Sequence, residues 1–280
     1  MSNLGHSKSK TDQKDSEILA NLLRLNYLPL AYIPTPDTIA TRDLLRARIH
    51  IGSEIRRVKN RIHAFLLKNN LRTRFINKSD IFGKAGRKLI TTIKLDSPRD
   101  CILLTSMTQL ESLEKQKQIL DSEIAKISLK NDDVLLLMTT PGLDFYSALI
   151  IYNEIGDINR FKDSSALCMY SGLVPGVWSS ADVTRIGRMT KRGPPTLRWI
   201  LTVVVGIIIR FENPIREFYR RIVRKKRSKK IAHVAAARKV LVMIYYMLKN
   251  REKCRWGIEQ MSERKLAALR MACKRKVLKT

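Results

Sequence analysis

The sequence is poor in the residues that build zinc sites, disulfides or membrane spans. Its four cysteines and four histidines are scattered without the close spacing of metal ligands, so we expect reduced thiols, no zinc site and a cytoplasmic protein. The longest apolar run, from Trp199 to Ile209, is too short to cross a bilayer. The amino terminus also lacks the apolar core of a signal peptide. The cysteines are Cys101, Cys168, Cys254 and Cys273.

Acidic residues are scarce relative to basic ones. The chain has 25 Asp and Glu against 54 Lys and Arg, which gives a net charge of +29. A folded chain that repels itself this strongly normally has a polyanionic partner. Nucleic acid is the first candidate, and an anionic membrane surface is the second and weaker one. A hydrophobic content of 44% over 280 residues is enough for one large domain or two small ones.

Apolar residues recur at helical spacing along most of the chain, which predicts a mainly α fold. Two long helices are predicted, from Asp37 to about Leu71 and from about Pro98 to Leu129. Their lengths favour an antiparallel helical hairpin or a dimerising coiled coil, and the sequence does not separate the two. The first helix has a basic face that includes Lys59 and Arg61, and we expect this face to contact nucleic acid.

Three features are predicted in the carboxy-terminal half. Two short helices joined by Pro141-Gly142 have the form of a helix-hairpin-helix unit, whose backbone N–H groups hold a DNA phosphate; any tight helix corner is the alternative. The apolar segment 197–211 is expected to be the central core helix. The segment 224–230, with six cations in seven residues, predicts a flexible phosphate-binding loop between helices.

The polar stretch between Gly172 and Pro195 is predicted to be a loop that carries candidate catalytic residues. It contains the adjacent residues Ser179 and Ser180, and Arg198 in the next helix is expected to point back toward them. A serine hydroxyl can attack a phosphodiester while nearby cations neutralise the charge on phosphorus. The alternative is a basic surface loop whose serines cap the next element. The cations of this stretch are Arg185, Arg188, Lys191 and Arg192.

Asp12 and Asp15 are a candidate metal site. They lie three residues apart in the first turn of a predicted helix and so share one face. Two such carboxylates can coordinate Mg²⁺, although acidic residues in a first turn are also favoured by the helix dipole. A two-metal site needs further acidic ligands, and this sequence has none before Asp12.

These pieces, in this order, resemble the IS110/IS116/IS902 group of transposases. Lys10-Thr-Asp-x-x-Asp15 is similar to the end of their RuvC-like domain, and Lys59-Asn-Arg-Ile-His-Ala-Phe-Leu66 is similar to the basic helix that follows it. Five further segments are similar to parts of the family's carboxy-terminal transposase domain: Pro141-Gly-Leu, Gly172-Leu-Val-Pro175, Ser179-Ser180, Thr190-Lys-Arg-Gly193 and Leu197-Arg198.

The resemblance implies a DNA recombinase of an insertion sequence. In such enzymes a metal-binding acidic cluster, here with Mg²⁺, acts with a serine that attacks DNA and forms a covalent intermediate. The active site is shared within a homo-oligomer, and an element-encoded guide RNA selects the DNA. The matching serine is Ser180, with Ser179 as the alternative because Ala181 stands where the family has glycine.

The resemblance also implies an incomplete acidic cluster. Asp12 and Asp15 match the last two of the family's four acidic residues, and the sheet that carries the first two has no counterpart in this sequence. We therefore expect an amino-terminally truncated transposase that is inactive alone. The alternative is a non-catalytic basic helical protein that binds DNA or RNA without chemistry.

This interpretation divides the chain into four parts. They are a remnant of the RuvC-like domain with a linker (1–35), a long helical arm (36–130), the carboxy-terminal transposase domain (131–250) and a basic tail (251–280).

Overall fold

The structure, a computed structural model, describes residues 12–27, 32–77, 80–93, 95–180 and 183–274. For residues 177–180, 183–186 and 188 it describes the backbone alone. The described residues are mainly helical, as the apolar spacing predicts. The chain divides into two compact units, Met1–Pro36 and Asp37–Thr280.

The first unit contains one described helix, α1 (Asp12–Arg24), and none of its residues is buried. Leu19 and Leu23, which form part of its apolar stripe, are 49% and 63% exposed. Asp12 and Asp15 lie in its first turn, where their charge favours the helix amino terminus.

In the second unit the two predicted long helices pack side by side and antiparallel. They are α2 (Pro36–Lys68) and α4 (Ser97–Leu129). Arg48 pairs with Asp121 at 2.7 Å, whereas Arg61, further along α2, donates to Gln109 at 3.1 Å, earlier in α4. The direction is therefore opposite in the two helices, and they pair within one chain. The connection between them contains a 3₁₀ turn, Arg72–Phe75, and helix α3, Lys84–Thr91.

The far end of this helical pair has a hydrophobic cluster of its own. Apolar residues of α2, α3 and α4 close around Phe75 and Phe82, separately from the main core. Arg87 fixes the connection, because its guanidinium donates to both carboxylate oxygens of Glu114 at 2.8 and 2.6 Å and to the Phe82 carbonyl at 2.7 Å. One guanidinium thus ties the connection to α4 through an ion pair and to the backbone at Phe82 through a second nitrogen.

The main core is built around α8 (Pro195–Ile208), as the apolar segment 197–211 predicts. Its inward positions are completely or almost completely buried, because i, i+3 and i+4 positions of one helix share a face. These positions are Leu197, Ile200, Leu201, Val204, Val205 and Ile208. The core also includes parts of α2, α4 and the last described helix, and it includes α5 (Asp132–Met138), α6 (Phe145–Ile155), α7 (Ser164–Ser171), α9 (Pro214–Lys226) and α10 (Lys229–Asn250).

Among the described residues, α10 is the one helix long and apolar enough to cross a membrane by length and composition, and half of its apolar window is buried inside the protein. Its buried positions belong to the main hydrophobic core. Packing in that core accounts for its hydropathy.

The turn between α5 and α6 is a tightly packed corner. Gly142, at a φ of +90°, lies against α8, and a Cβ there would approach the Ile208 side chain to 3.0 Å. The amino terminus of α6 is closed by its own side chains: Asp144 accepts from the Ser147 N–H at 2.8 Å, and Ser147 Oγ accepts from the Asp144 N–H at 3.0 Å. This capping box leaves the corner poorly suited to hold a phosphate, so the structure favours the tight-corner alternative.

Residues of the predicted basic tail cover this corner. Helix α11 (Glu259–Lys274) packs on α4 and α5 through the fully buried Leu269. The Lys265 Nζ donates to the carbonyls of Met138 at 2.7 Å and Thr140 at 2.6 Å. Burial of the ammonium lowers the pKa of Lys265 to about 8, and the Asp144 carboxylate opposes that shift.

Candidate nucleic-acid interface

The stretch predicted to be a polar loop is an antiparallel β-hairpin, so that prediction is wrong. It consists of β1 (Pro175–Ser180) and β2 (Val183–Met189), with Trp178 paired to Arg185 and Ser180 paired to Val183. β-Branched and aromatic residues favour strands, and both strands are rich in them. The residues concerned are Val177, Trp178, Val183, Thr184 and Ile186.

Ser179 and Ser180 are the last two residues of β1, next to the hairpin tip. The next helix, α8, begins at Pro195, and its N-cap residue is Pro194. The side chains of both serines, and those of Arg185 and Arg188, lie outside the described residues, as does the whole of Ala181, so their predicted roles stay predictions.

Two glycines and one arginine fix the stem of the hairpin. Gly172 and Gly193 have φ values of +69° and +113°, and a Cβ on Gly193 would overlap the Tyr170 carbonyl oxygen. The Arg198 guanidinium donates to the carbonyls of Ser171 at 3.1 Å and Gly193 at 2.8 Å. Arg198 therefore points back toward the hairpin, as predicted, and its observed contacts join the two ends of the stem.

Lys191 and Arg192 lie between β2 and α8, and both are exposed. Within the described residues neither forms an ion pair. They place two positive charges at the base of the hairpin that carries the serines.

The segment 224–230 is not a flexible loop, so this prediction is also wrong. Helix α9 continues to Lys226 and α10 starts at Lys229, so only Arg227 and Ser228 form the turn. Asn213 caps α9 by accepting the Ile215 and Arg216 N–H groups, each at 2.9 Å. Capping of this kind stabilises a helix against the repulsion among its own cations.

Eight of the eleven residues from 220 to 230, in and around this turn, are Lys or Arg. Its cations are all exposed, and none of them forms an ion pair with a described residue. We call them the cationic turn: Arg220, Arg221, Arg224, Lys225, Lys226, Arg227, Lys229 and Lys230.

The predicted basic face of α2 is partly used inside the protein. Arg48 pairs with Asp121 and lies 4.3 Å from the Tyr146 ring centroid. Lys59 lies 3.7 Å from a Glu114 carboxylate oxygen and contacts the Phe82 ring. Arg61 is exposed and bonded to Gln109.

Asp12 and Asp15 do not complete a metal site among the residues that the structure describes. No group of three or more His, Cys, Asp or Glu side chains there could hold a metal ion. Mg²⁺ needs further oxygen ligands, from protein, water or substrate, beyond two carboxylates on one helix turn.

A pocket of about 510 Å³, which sequence reasoning missed, lies between the hairpin stem and the two helices of the cationic turn. In the sequence, only the apolar positions at helical spacing on α10 indicate one wall of this pocket. The opposing wall comes from segments that are distant in sequence. The lining residues are Leu173, Pro175, Met189, Phe218, Lys230, Ile231, Val234, Ala235, Arg238, Lys239 and Val242.

Comparison with known proteins identifies the family. A model described as the Transposase IS116/IS110/IS902 family matches residues 134–220, and a second transposase model, for DEDD-type IS110 transposases, matches residues 1–70. Together the two models match more than half of the chain.

Individual transposases are similar to the chain over parts of their length. A putative transposase, y4qE of Sinorhizobium fredii, is 29% identical over 192 residues, which cover 69% of this chain and 46% of the relative. The transposase for insertion sequence element IS1111A of Coxiella burnetii is 27% identical over 140 residues, covering 49% and 38%. The transposase for IS1328 of Yersinia enterocolitica is 24% identical over 197 residues, covering 69% and 57%.

The chain thus spans about half the length of the curated relatives that it matches. From the two family models and these relatives we conclude that the chain belongs to the IS110/IS116/IS902 family of insertion-sequence transposases.

Proposed function

We propose that this chain binds the DNA of an insertion sequence and that, within a complete transposase, its Ser180 attacks that DNA. The observation that carries the proposal is the position of the two serines at the end of the β-hairpin. The base of this hairpin has exposed cations, and its stem lies beside the helices of the cationic turn. Support also comes from the family of the chain and from its charge of +29.

Binding follows from charge that is exposed and not neutralised within the protein. Each cation that contacts a phosphate releases a counter-ion, so affinity falls with salt concentration. The cationic turn offers eight such side chains, and Lys191 and Arg192 add two at the hairpin stem. Because these contacts go to the DNA backbone, they position the duplex without reading its sequence.

The proposed chemical step is a transesterification at one phosphodiester. The Ser180 hydroxyl loses its proton and forms an O–P bond, while the bond from phosphorus to one deoxyribose oxygen breaks and that oxygen leaves as a hydroxyl. Arginine side chains would stabilise the negative charge that builds up on the phosphoryl oxygens; Arg185 and Arg188 on β2 are the candidates. Ser179 is the alternative nucleophile.

Mg²⁺, a homo-oligomer and an element-encoded guide RNA are parts of the same proposal, taken from the family resemblance. Asp12 and Asp15 would supply two ligands at most, so we route no chemical step through the metal. For the same reason we expect the 280-residue chain, tested by itself, to bind DNA without attacking an unmodified strand.

Binding is tested by measuring the affinity for a 40-base-pair duplex of arbitrary sequence between about 50 and 300 mM salt. Neutralising Arg224, Lys225 and Lys226 together should reduce the slope of log affinity against log salt by up to about 2.7, at roughly 0.9 per phosphate contact. The matched control neutralises three exposed cations of α11, which should leave the slope nearly unchanged. Equal effects of the two triple variants would contradict the assignment of the cationic turn. The control residues are Arg264, Arg270 and Lys274.

The nucleophile is tested with end DNA of the element whose phosphodiesters carry a bridging sulfur, because a thiolate leaves more easily than an alkoxide. We expect a covalent adduct on a denaturing gel for the parent chain and for Ser179→Ala, and none for Ser180→Ala. No adduct with the parent chain would refute the proposal. An adduct with ordinary DNA would refute the expected inactivity of the isolated chain.

A non-catalytic nucleic-acid-binding protein is the second candidate. The observation that favours it is the lack, among the described residues, of any cluster able to hold a metal. It predicts a steep salt dependence without an adduct on either substrate.

A further inference from the structure

We propose that the pocket between the hairpin stem and α9–α10 binds the base of an unpaired nucleotide. This inference rests on the proposed function, DNA binding, and adds a class of substrate to it: DNA with locally unpaired bases, in preference to a continuous duplex. The observation is an apolar pocket with a cationic rim, next to the hairpin that carries Ser180.

The walls of the pocket suit a base. On one side Pro175 and Met189 face each other across the stem, since they are register partners. On the other side Phe218 comes from α9, and Val234 and Ala235 come from α10. Apolar and aromatic walls of this kind hold a base that has left its stack.

The rim suits the phosphates on either side of that base. Lys230, Arg238 and Lys239 line the pocket and are all exposed. Lys230 and Lys239 form no ion pair with a described residue, and the Arg238 guanidinium lies near the Cys168 thiol, where it partly offsets the effect of burial on the pKa of that thiol. A purely apolar ligand would make no use of the cationic rim, whereas a nucleotide can contact both the walls, through its base, and the rim, through its phosphates.

The size of the pocket is consistent with this occupant. At about 510 Å³ it falls in the range of sites that bury a small ligand, roughly 300–1,000 Å³. A base within a continuous duplex is paired and stacked, so it cannot enter. A nucleotide beside a nick, a gap or a melted step can enter, because its unstacking costs least.

The experiment compares three DNA duplexes of equal length with the intact 280-residue chain. The first is continuous, the second has three unpaired thymidines opposite a gap, and the third has three abasic residues in place of those thymidines. The parent chain should bind the thymidine gap about tenfold more tightly than the abasic gap, because base stacking supplies the difference. Phosphate contacts are the same in both gapped duplexes and therefore cancel.

Two variants locate the effect. Ala235→Phe fills the pocket and should remove the preference for bases over abasic residues, while affinity for the continuous duplex stays within about twofold. Phe218→Leu keeps an apolar side chain without an aromatic face and should reduce the preference partially. Thermal unfolding followed by circular dichroism establishes that each variant is folded before binding is compared.

The outcomes separate the two proposals. Equal affinity of the parent chain for thymidine and abasic gaps would overturn the base pocket, and salt-dependent duplex binding would then still support the proposed function. A preference that Ala235→Phe leaves unchanged would also overturn the pocket. Failure to bind any of the three DNAs would refute DNA binding itself.

Discussion

The sharpest test of the fold concerns Lys265, whose ammonium holds α11 on the α5–α6 corner. Replacing it by methionine keeps most of the apolar stem but removes the donor to the Met138 and Thr140 carbonyls. Both residues are buried. The variant therefore isolates what one half-buried lysine contributes to the free energy of unfolding at each pH.

The magnitude follows from the pKa, which burial lowers from 10.5 to about 8. In the unfolded chain the lysine keeps its proton to about pH 10.5, so between about pH 8 and pH 10.5 the unfolded state binds more protons. The free energy of unfolding should then rise with pH, by about 1 kcal/mol between pH 7 and pH 9 for these two pKa values. A neutral amine still has two N–H groups, which suffice for both carbonyls.

The assay is urea unfolding of the parent chain and of Lys265→Met at pH 7, 8 and 9. Relative to the variant, the parent should become more stable by about 1 kcal/mol over this range, with little difference at pH 7, where the lost hydrogen bonds and the removed buried charge offset each other. Burial also raises the pKa of the Cys254 thiol from 9.0, but the parent and the variant both carry this thiol, so its effect largely cancels in their difference. A parent stability that falls with pH relative to the variant would refute the assignment of desolvation as the dominant cause.

Two further predictions concern the hairpin stem and α8. Arg198→Ala removes both stem contacts and should destabilise the chain by about 1–3 kcal/mol and speed amide hydrogen exchange in the stem. The control Arg210→Ala, at an exposed residue just beyond the carboxyl end of the same helix, should change neither. Gly193→Ala forces a Cβ into the Tyr170 carbonyl and should cost at least about 2 kcal/mol in urea unfolding. Gly206→Ala, which meets nothing closer than His233 at 3.8 Å, should be neutral or stabilising by up to about 1 kcal/mol; equal costs for the two glycines would contradict the stem geometry.

The sequence predicts the helical parts of the fold well. The apolar spacing predicts long helices at 37–71 and 98–129, and the observed helices, Pro36–Lys68 and Ser97–Leu129, end within three residues of those bounds. Many turns of 3.6-residue spacing determine them, and helix periodicity is a local property of the chain. For the same reason the apolar segment 197–211 predicts the core helix, which is observed at Pro195–Ile208.

The hairpin and the details of the site could not be predicted in this way. The two strands have only six and seven residues. Their alternation of apolar and polar residues is too short to indicate a strand, because polar residues and glycine in the same stretch favour a loop. The contacts of Arg198 with backbone carbonyls, and of Lys59 with Glu114, depend on segments that meet only in the folded chain. Charge alone marked both side chains as ligands for DNA, although part of their charge is engaged within the protein.

The main core of the second unit extends through residues that composition marks as a separate basic tail. Leu269 is fully buried and Lys265 half-buried, while the cations around them are exposed. The sequence of a helix with a narrow apolar stripe and a wide charged face predicts a solvent-exposed helix, even when the apolar stripe is packed against the core. Only the partner surface on α4 and α5 distinguishes the two cases.

Helix α4 joins the two hydrophobic clusters as a single element. Leu103 and Leu110 belong to the cluster at the far end of the arm, whereas Ile124 and Ala125 belong to the main core. After its first turn the helix has neither glycine nor proline, so it has no built-in hinge. Its 33 residues make a rod about 50 Å long, and tilting this rod by about 10° at the core would carry the far end through roughly 8 Å. A small change in the tilt of α4 near the α5–α6 corner would thus move the far end of the arm sideways by several ångströms.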